Sequence, residues 1–145
     1  MGDRGSLEFK QLLAERKLFR TRISSKMISK EVASAEDDLK DVQDSLEQKK
    51  FKWATIQGYY STFHSARALL YSRGFRERSH YAVLVAMREL FVNKLGKDLI
   101  RRFEDAMDLR QEADYGSEFS EAGAIETIEG AEEFLRKAKE ILGIK

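Results

Sequence analysis

Arg110 is the residue in this chain whose setting first suggests chemistry. In RQEADYG, residues 110–116, it stands near the end of a helix-patterned segment, and Tyr115 follows five positions later. Helical spacing puts Arg110 at the margin of the apolar stripe Leu99, Phe103, Ala106. Its side chain is therefore held against a core rather than left in water. A guanidinium fixed at a helix end can clamp a phosphate with two parallel N–H bonds. A proton carrier beside it would let a ribose hydroxyl attack that phosphate. The phenol of Tyr115, with an ordinary pKa of about 10, is a poor base at neutral pH. The plainer alternative is a helix-end ion pair between Arg110 and Asp114, with Tyr115 packed over the end of the fold.

Two further constellations stand out. Tyr60, His64, Arg67 and Tyr71 recur at helical spacing. They can line a groove that meets a nucleotide, or form a polar seam between helices. His64 has no acidic residue three or four positions away to orient its ring, so any carboxylate partner must come from another helix. The second constellation is the run Arg73, Arg76, Arg78, Ser79, His80. Three arginines ahead of a helix N-terminus make a phosphate-binding corner, because free N–H groups and the helix dipole both favour anions there. The alternative is a solvated loop in which Ser79 caps the next helix and His80 packs locally.

The elements that must position these residues are helical. Val32, Ala35, Leu39, Val42 and Leu46 step by three and four and predict a helix over 27–49. A second helix over 52–73 carries the stripe Trp53, Ile56, Tyr60, Phe63, Leu70, widened by Tyr59, Ala66 and Leu69. It should be the most buried, and Gly74 ends it. A third runs from Ser79 to about Leu95, a fourth from a cap at Asp98 to about Ala113, and a fifth over 120–142. No segment alternates with period two, so no sheet is expected. The chain has no proline, which favours long uninterrupted helices. Short connections make such helices antiparallel neighbours. The expected fold is all-α: an up-and-down helical bundle of four long helices plus a short additional helix over 26–145. Residues 1–25 form a polar N-terminal extension in which a short helix over 6–19 can form.

Composition narrows the function classes. At 145 residues a single domain can bury roughly 70% of its unfolded surface. With 26 basic and 25 acidic residues, no global field argues for nucleic acid. Cysteine is absent, which removes disulfides, thiol catalysis and thiolate metal sites. Two histidines without clustered ligands predict no metal site and no cofactor. No apolar run approaches a membrane span, and the charged N-terminal residues are unlike a signal peptide, so a cytoplasmic protein is expected.

Three pieces of the sequence together resemble the HEPN family. These are FHSARALLYSRG in the second helix, the Ser79-His80 pair, and RQEADYG, and the resemblance covers about residues 27–142. It implies the same all-helical bundle, a homodimer, and a phosphate-binding cleft built on Arg110. Arg76, Arg78, Ser79, His80 and His64 would be nucleotide or RNA contacts. The family's ribonuclease motif is Arg-x4–6-His, and Tyr115 holds the histidine's place here. The resemblance thus implies a component of a toxin–antitoxin-like module with a nucleotidyltransferase-like partner. In systems of that kind the partner adds AMP to a tyrosine near the arginine motif, a role open to Tyr115. The alternatives are a metal-independent endoribonuclease using Arg110 with Tyr115, His64 or His80, and a non-catalytic protein-interaction bundle.

Overall fold

The computed structural model describes residues 3–113 and 119–145, with the backbone alone at 3–6 and 112–113. The chain runs α1 (Asp3–Ala14), β1 (Leu18–Arg20), α2 (Ser25–Glu47), α3 (Phe51–Ser72), β2 (Phe75–Glu77), α4 (His80–Leu90), α5 (Val92–Leu95), α6 (Lys97–Ala113) and α7 (Glu121–Leu142). The long helices α2, α3, α6 and α7 form the expected all-α bundle, and α3 touches all the others as well as α4.

Local sequence explains most boundaries. Ser24 caps α2, its hydroxyl accepting from Met27 N–H at 3.3 Å. Ser120 caps α7 in the same way, from Gly123 N–H at 2.9 Å. Between α2 and α3 the chain reverses in three residues, with Lys49 in the left-handed region at φ 58°. Gly143 closes α7 at φ 72°. α3 is central because nearly every face of it is apolar or small. Tyr59, Phe63, Ala66, Leu69 and Leu70 bury their side chains among Leu84, Met87, Phe91, Phe103 and Phe134.

The close approach of α3 to α7 depends on Gly58. A Cβ there would sit 3.0 Å from Thr127 Cγ2 and 3.5 Å from Ile128 N. Gly58→Val is expected to cost about 2 kcal/mol through overpacking. That is a fall in Tm of roughly 6 °C for a domain of this size. Gly58→Ala should lose clearly less, since Thr127 alone must shift and the helix gains propensity. Thermal unfolding followed by circular dichroism measures both; equal and negligible losses would mean the two helices can separate freely.

Two expectations need correction. A small antiparallel ribbon exists: Leu18 pairs with Glu77, Phe19 with Arg76 and Arg20 with Phe75. Thr21 N–H extends it to the Gly74 carbonyl at 3.0 Å, and Arg78 N–H to that of Lys17 at 2.8 Å. Three-residue strands are too short for period-two alternation to register in sequence. The ribbon and α1 join the N-terminal segment to the bundle, and Phe9 meets Phe75 edge-on at 5.9 Å. The second correction concerns the predicted helix from Ser79 to Leu95. It breaks at Phe91, whose backbone leaves the helical region (φ −128°, ψ 9°) while its ring enters the core.

Candidate functional site

The middle of α3 gathers an arginine, an imidazole and three aromatic rings. α6 delivers Arg110 beside α3, where Nη2 donates to Tyr60 Oη at 3.0 Å. Its guanidinium carbon lies 5.7 Å from the Tyr60 ring centroid. His80, the first residue of α4, stacks on Phe63 with centroids 4.1 Å apart and planes 18° apart. It also meets Tyr60 edge-on at 6.2 Å. Its Nδ1 is 2.7 Å from Tyr59 Oη.

The electrostatics of this pair are specific. Burial pushes the Tyr59 phenol far above its ordinary pKa, so it keeps its proton. Burial, with the positive charges of Arg110 and Arg67 behind it, holds His80 below the usual imidazole value. His80 is therefore neutral at neutral pH. We assign the protonated phenol as donor to Nδ1, which leaves the His80 proton on Nε2. The result is a fixed guanidinium and a neutral imidazole that both meet the Tyr60 ring. The first can bind phosphate oxygens; the second can donate a hydrogen bond or relay a proton.

His64 lies one turn along α3 in a different environment. Its Nδ1 is 2.9 Å from Glu31 Oε1 and its Nε2 is 3.9 Å from Asp38 Oδ2, both on α2. Arg67 joins the same seam, 3.4 Å from Glu31 Oε1 and 2.9 Å from Glu77 Oε2. The carboxylates that His64 lacks on its own helix are thus supplied by α2. Burial is the largest influence on Glu31 and raises its pKa. The His64 hydrogen bond and the Arg67 charge together outweigh it and hold the carboxyl below its ordinary 4.5. Asp38 is shifted the other way, upward, chiefly by burial.

A group depressed on folding stabilises the fold above its unfolded pKa and loses that contribution as pH falls through the folded value. Glu31 should therefore contribute fully above about pH 4.5 and progressively less below it, with Asp38 working in the opposite sense. Urea unfolding between pH 6 and pH 3, to order of magnitude, should show a shallower acid loss for Glu31→Gln than for wild type. Parallel curves would remove Glu31 from the acid response.

The basic turn does not converge. Arg73 lies over Phe91 at 4.8 Å, Arg76 over Tyr71 at 5.5 Å, and Arg78 over Phe19 at 4.8 Å. Each guanidinium is drawn to a different ring, which sequence spacing could not show. The Ser79 hydroxyl accepts from Ala82 N–H at 3.1 Å and so caps α4. Of the residues singled out in sequence, the fold brings Arg110 and His80 together around Tyr60. It sets His64 in the seam with α2 and spreads Arg76 and Arg78 along the ribbon. Tyr115 and Asp114 lie outside the described residues.

Trp53 is a further correction. Its place in the apolar stripe predicts burial, yet 58% of it is exposed. It lines a groove of about 990 Å³ with Lys49, Lys50, Lys52, Ile56 and Phe119, and Tyr60 and Arg110 belong to the same groove. The sequence signal was the run KKFKW, residues 49–53, cationic and aromatic together. Among the described residues, no group of three or more His, Cys, Asp or Glu is placed to hold a metal ion. None of the described helices is long and apolar enough to cross a membrane.

Residues 29–145 match the family model described as HEPN domain. A UPF0332 protein of Archaeoglobus fulgidus is 32% identical over 114 residues, covering 74% of this chain and 89% of its own length. Two proteins of Methanocaldococcus jannaschii, each named "Putative toxin", are also similar. One is 32% identical over 111 residues, covering 74% of this chain and 83% of its own. The other is 27% identical over 119 residues, covering 79% and 81%.

Proposed function

Since the chain belongs to the HEPN domain family, we propose that it is the toxin-like component of a two-protein module and binds RNA through phosphate contacts at Arg110. The observation that carries this is the guanidinium held 3.0 Å from Tyr60 Oη on the same aromatic cluster as a neutral His80. A cation fixed in that way loses little side-chain freedom on meeting a phosphate. The names of the two M. jannaschii relatives support the toxin-like part. The proposed partner is a nucleotidyltransferase-like protein that silences the toxin by moving AMP from ATP to the Tyr115 hydroxyl, with release of pyrophosphate. The protein itself would act as a cytoplasmic homodimer.

A second reading, metal-independent endoribonuclease, is favoured by one detail: His80 supplies the imidazole that the Arg-x4–6-His motif lacks here. In that reaction the ribose 2′-oxygen attacks the adjacent phosphorus and the 5′-oxygen leaves, giving a 2′,3′-cyclic phosphate. Arg110 would stabilise the charge on the phosphorane. For this Tyr59 Oη would accept from His80 Nδ1–H instead of donating to it, which frees Nε2 to take the 2′-hydroxyl proton and pass it to the departing oxygen.

Labelled mixed RNA incubated with chelator tests both. Cleavage by wild type that is lost in Arg110→Ala and in His80→Ala establishes the nuclease. Silence of wild type with activity gained in Tyr115→His marks a site that binds without cutting. Cleavage undiminished in Arg110→Ala would sink the assignment of Arg110.

A further inference from the structure

We infer that the groove between the α2–α3 turn and Arg110 binds single-stranded RNA, with one base stacked on Trp53 and the flanking phosphates on Lys49, Lys50 and Lys52. This rests on the reading of Arg110 as a phosphate contact and extends it to a subsite of different residues.

Three observations carry it. The first is the exposure of Trp53. A large aromatic at the first turn of the most buried helix would ordinarily face the core, but 58% of it remains open, in a groove of about 990 Å³. An indole face in such a place accepts a base of any kind by stacking. The second is charge. Lys49, Lys50, Lys52 and Arg110 line the groove, and no carboxylate does so among the described residues. The chain as a whole is nearly neutral at +1, so the cations are gathered here locally. The third is length. Lys52 and Tyr60 are eight residues apart on α3, about 12 Å along its axis, and Tyr60 holds Arg110. The cations therefore sit at both ends of the groove with Trp53 near one of them. The phosphates of a single nucleotide cluster at one end; a strand places a phosphate at each.

The same observations argue against other occupants. A second copy whose two-fold axis ran through the groove would bring this patch against itself, cation to cation. Duplex RNA keeps its bases stacked on each other and offers none to an indole.

Trp53 is the sole tryptophan of the chain, so the wild-type protein reports on its own groove. Its emission is followed while a short mixed-sequence RNA strand is added, then the same strand as a duplex, then an abasic strand of equal length. The strand should quench the emission, and the duplex and abasic strand should not. In anisotropy measurements with labelled RNA, Trp53→Ala should bind the strand about tenfold more weakly. Replacing Lys49, Lys50 and Lys52 with Gln should lower the slope of log affinity against log salt by about 2. All four side chains lie at the surface, and circular dichroism confirms that the variants fold.

Binding of the strand without quenching overturns this inference alone and leaves Arg110 as the contact. Quenching that is as strong in Arg110→Ala upholds the groove and overturns the reading of Arg110. Emission that shifts on simple dilution of the protein shows the groove covered by a second copy, and overturns the inference. Absence of any RNA binding removes both.

Discussion

Arg67→Met is expected to destabilise the protein by about 3 kcal/mol, a fall in Tm of roughly 9 °C. Arg67 is the cation between two carboxylates that have little water of their own. The Glu77 side chain is 6% exposed and the Glu31 side chain 11%. Removing one partner of a buried pair leaves the other charge desolvated and unpaired, which costs more than the pair contributes. The Arg67 side chain is itself 26% exposed, so the lower end of the range for buried pairs applies. The guanidinium also covers the Phe63 and Tyr71 rings at 5.5 and 5.7 Å, contacts that methionine keeps in part. Adding Glu77→Gln to Arg67→Met should recover about 1 kcal/mol, because it removes an orphaned charge. Chemical denaturation of the two single variants and the double variant measures the coupling. A loss below about 1 kcal/mol for Arg67→Met would mean that the carboxylates reach water when the seam opens.

Arg110→Ala is expected to weaken RNA binding about 30-fold with the fold intact, the effect of losing a charge-assisted contact of roughly 2 kcal/mol. The salt slope should also fall by about 0.7, one phosphate on a single strand. Arg110→Lys separates charge from geometry. It keeps the cation but loses the planar fork that donates to Tyr60 and faces its ring. Affinity should return only in part while the salt slope recovers fully. Anisotropy with labelled RNA over a range of salt concentrations gives both quantities. Wild-type affinity in Arg110→Ala would end the account of this residue as a phosphate contact.

The long helices were legible because burial against one neighbour imposes three-four spacing. Val32, Ala35 and Val42 in α2, and Phe103 and Ala106 in α6, are buried where the pattern puts them. Trp53 shows the limit of that reasoning. Periodicity fixes an angle around α3, but the angle shared by Trp53, Ile56 and Tyr60 faces a groove rather than a packed neighbour. The ribbon was hidden for a different reason: three residues carry no period, and its strands lie more than fifty positions apart. The partners of His64 were hidden because Glu31 and Asp38 sit on another helix. In the basic turn, spacing correctly showed arginines close in sequence but could not show the three rings that part them. Arg110 was legible as a residue held at a helix margin; its contact with Tyr60, fifty positions away, was not. Tyr115 stands outside the described residues.

The β1–β2 ribbon also orders events during synthesis. α2 and α3 are joined by a three-residue turn and can pair as soon as both have left the ribosome. β1, although made first, has no partner until Phe75–Glu77 emerges, after the whole α2–α3 hairpin. Closing so long a loop is slow compared with pairing adjacent helices. The segment that follows β2 by two residues begins with His80. The stack of His80 on Phe63 therefore cannot form before the strand that β1 needs has emerged as well.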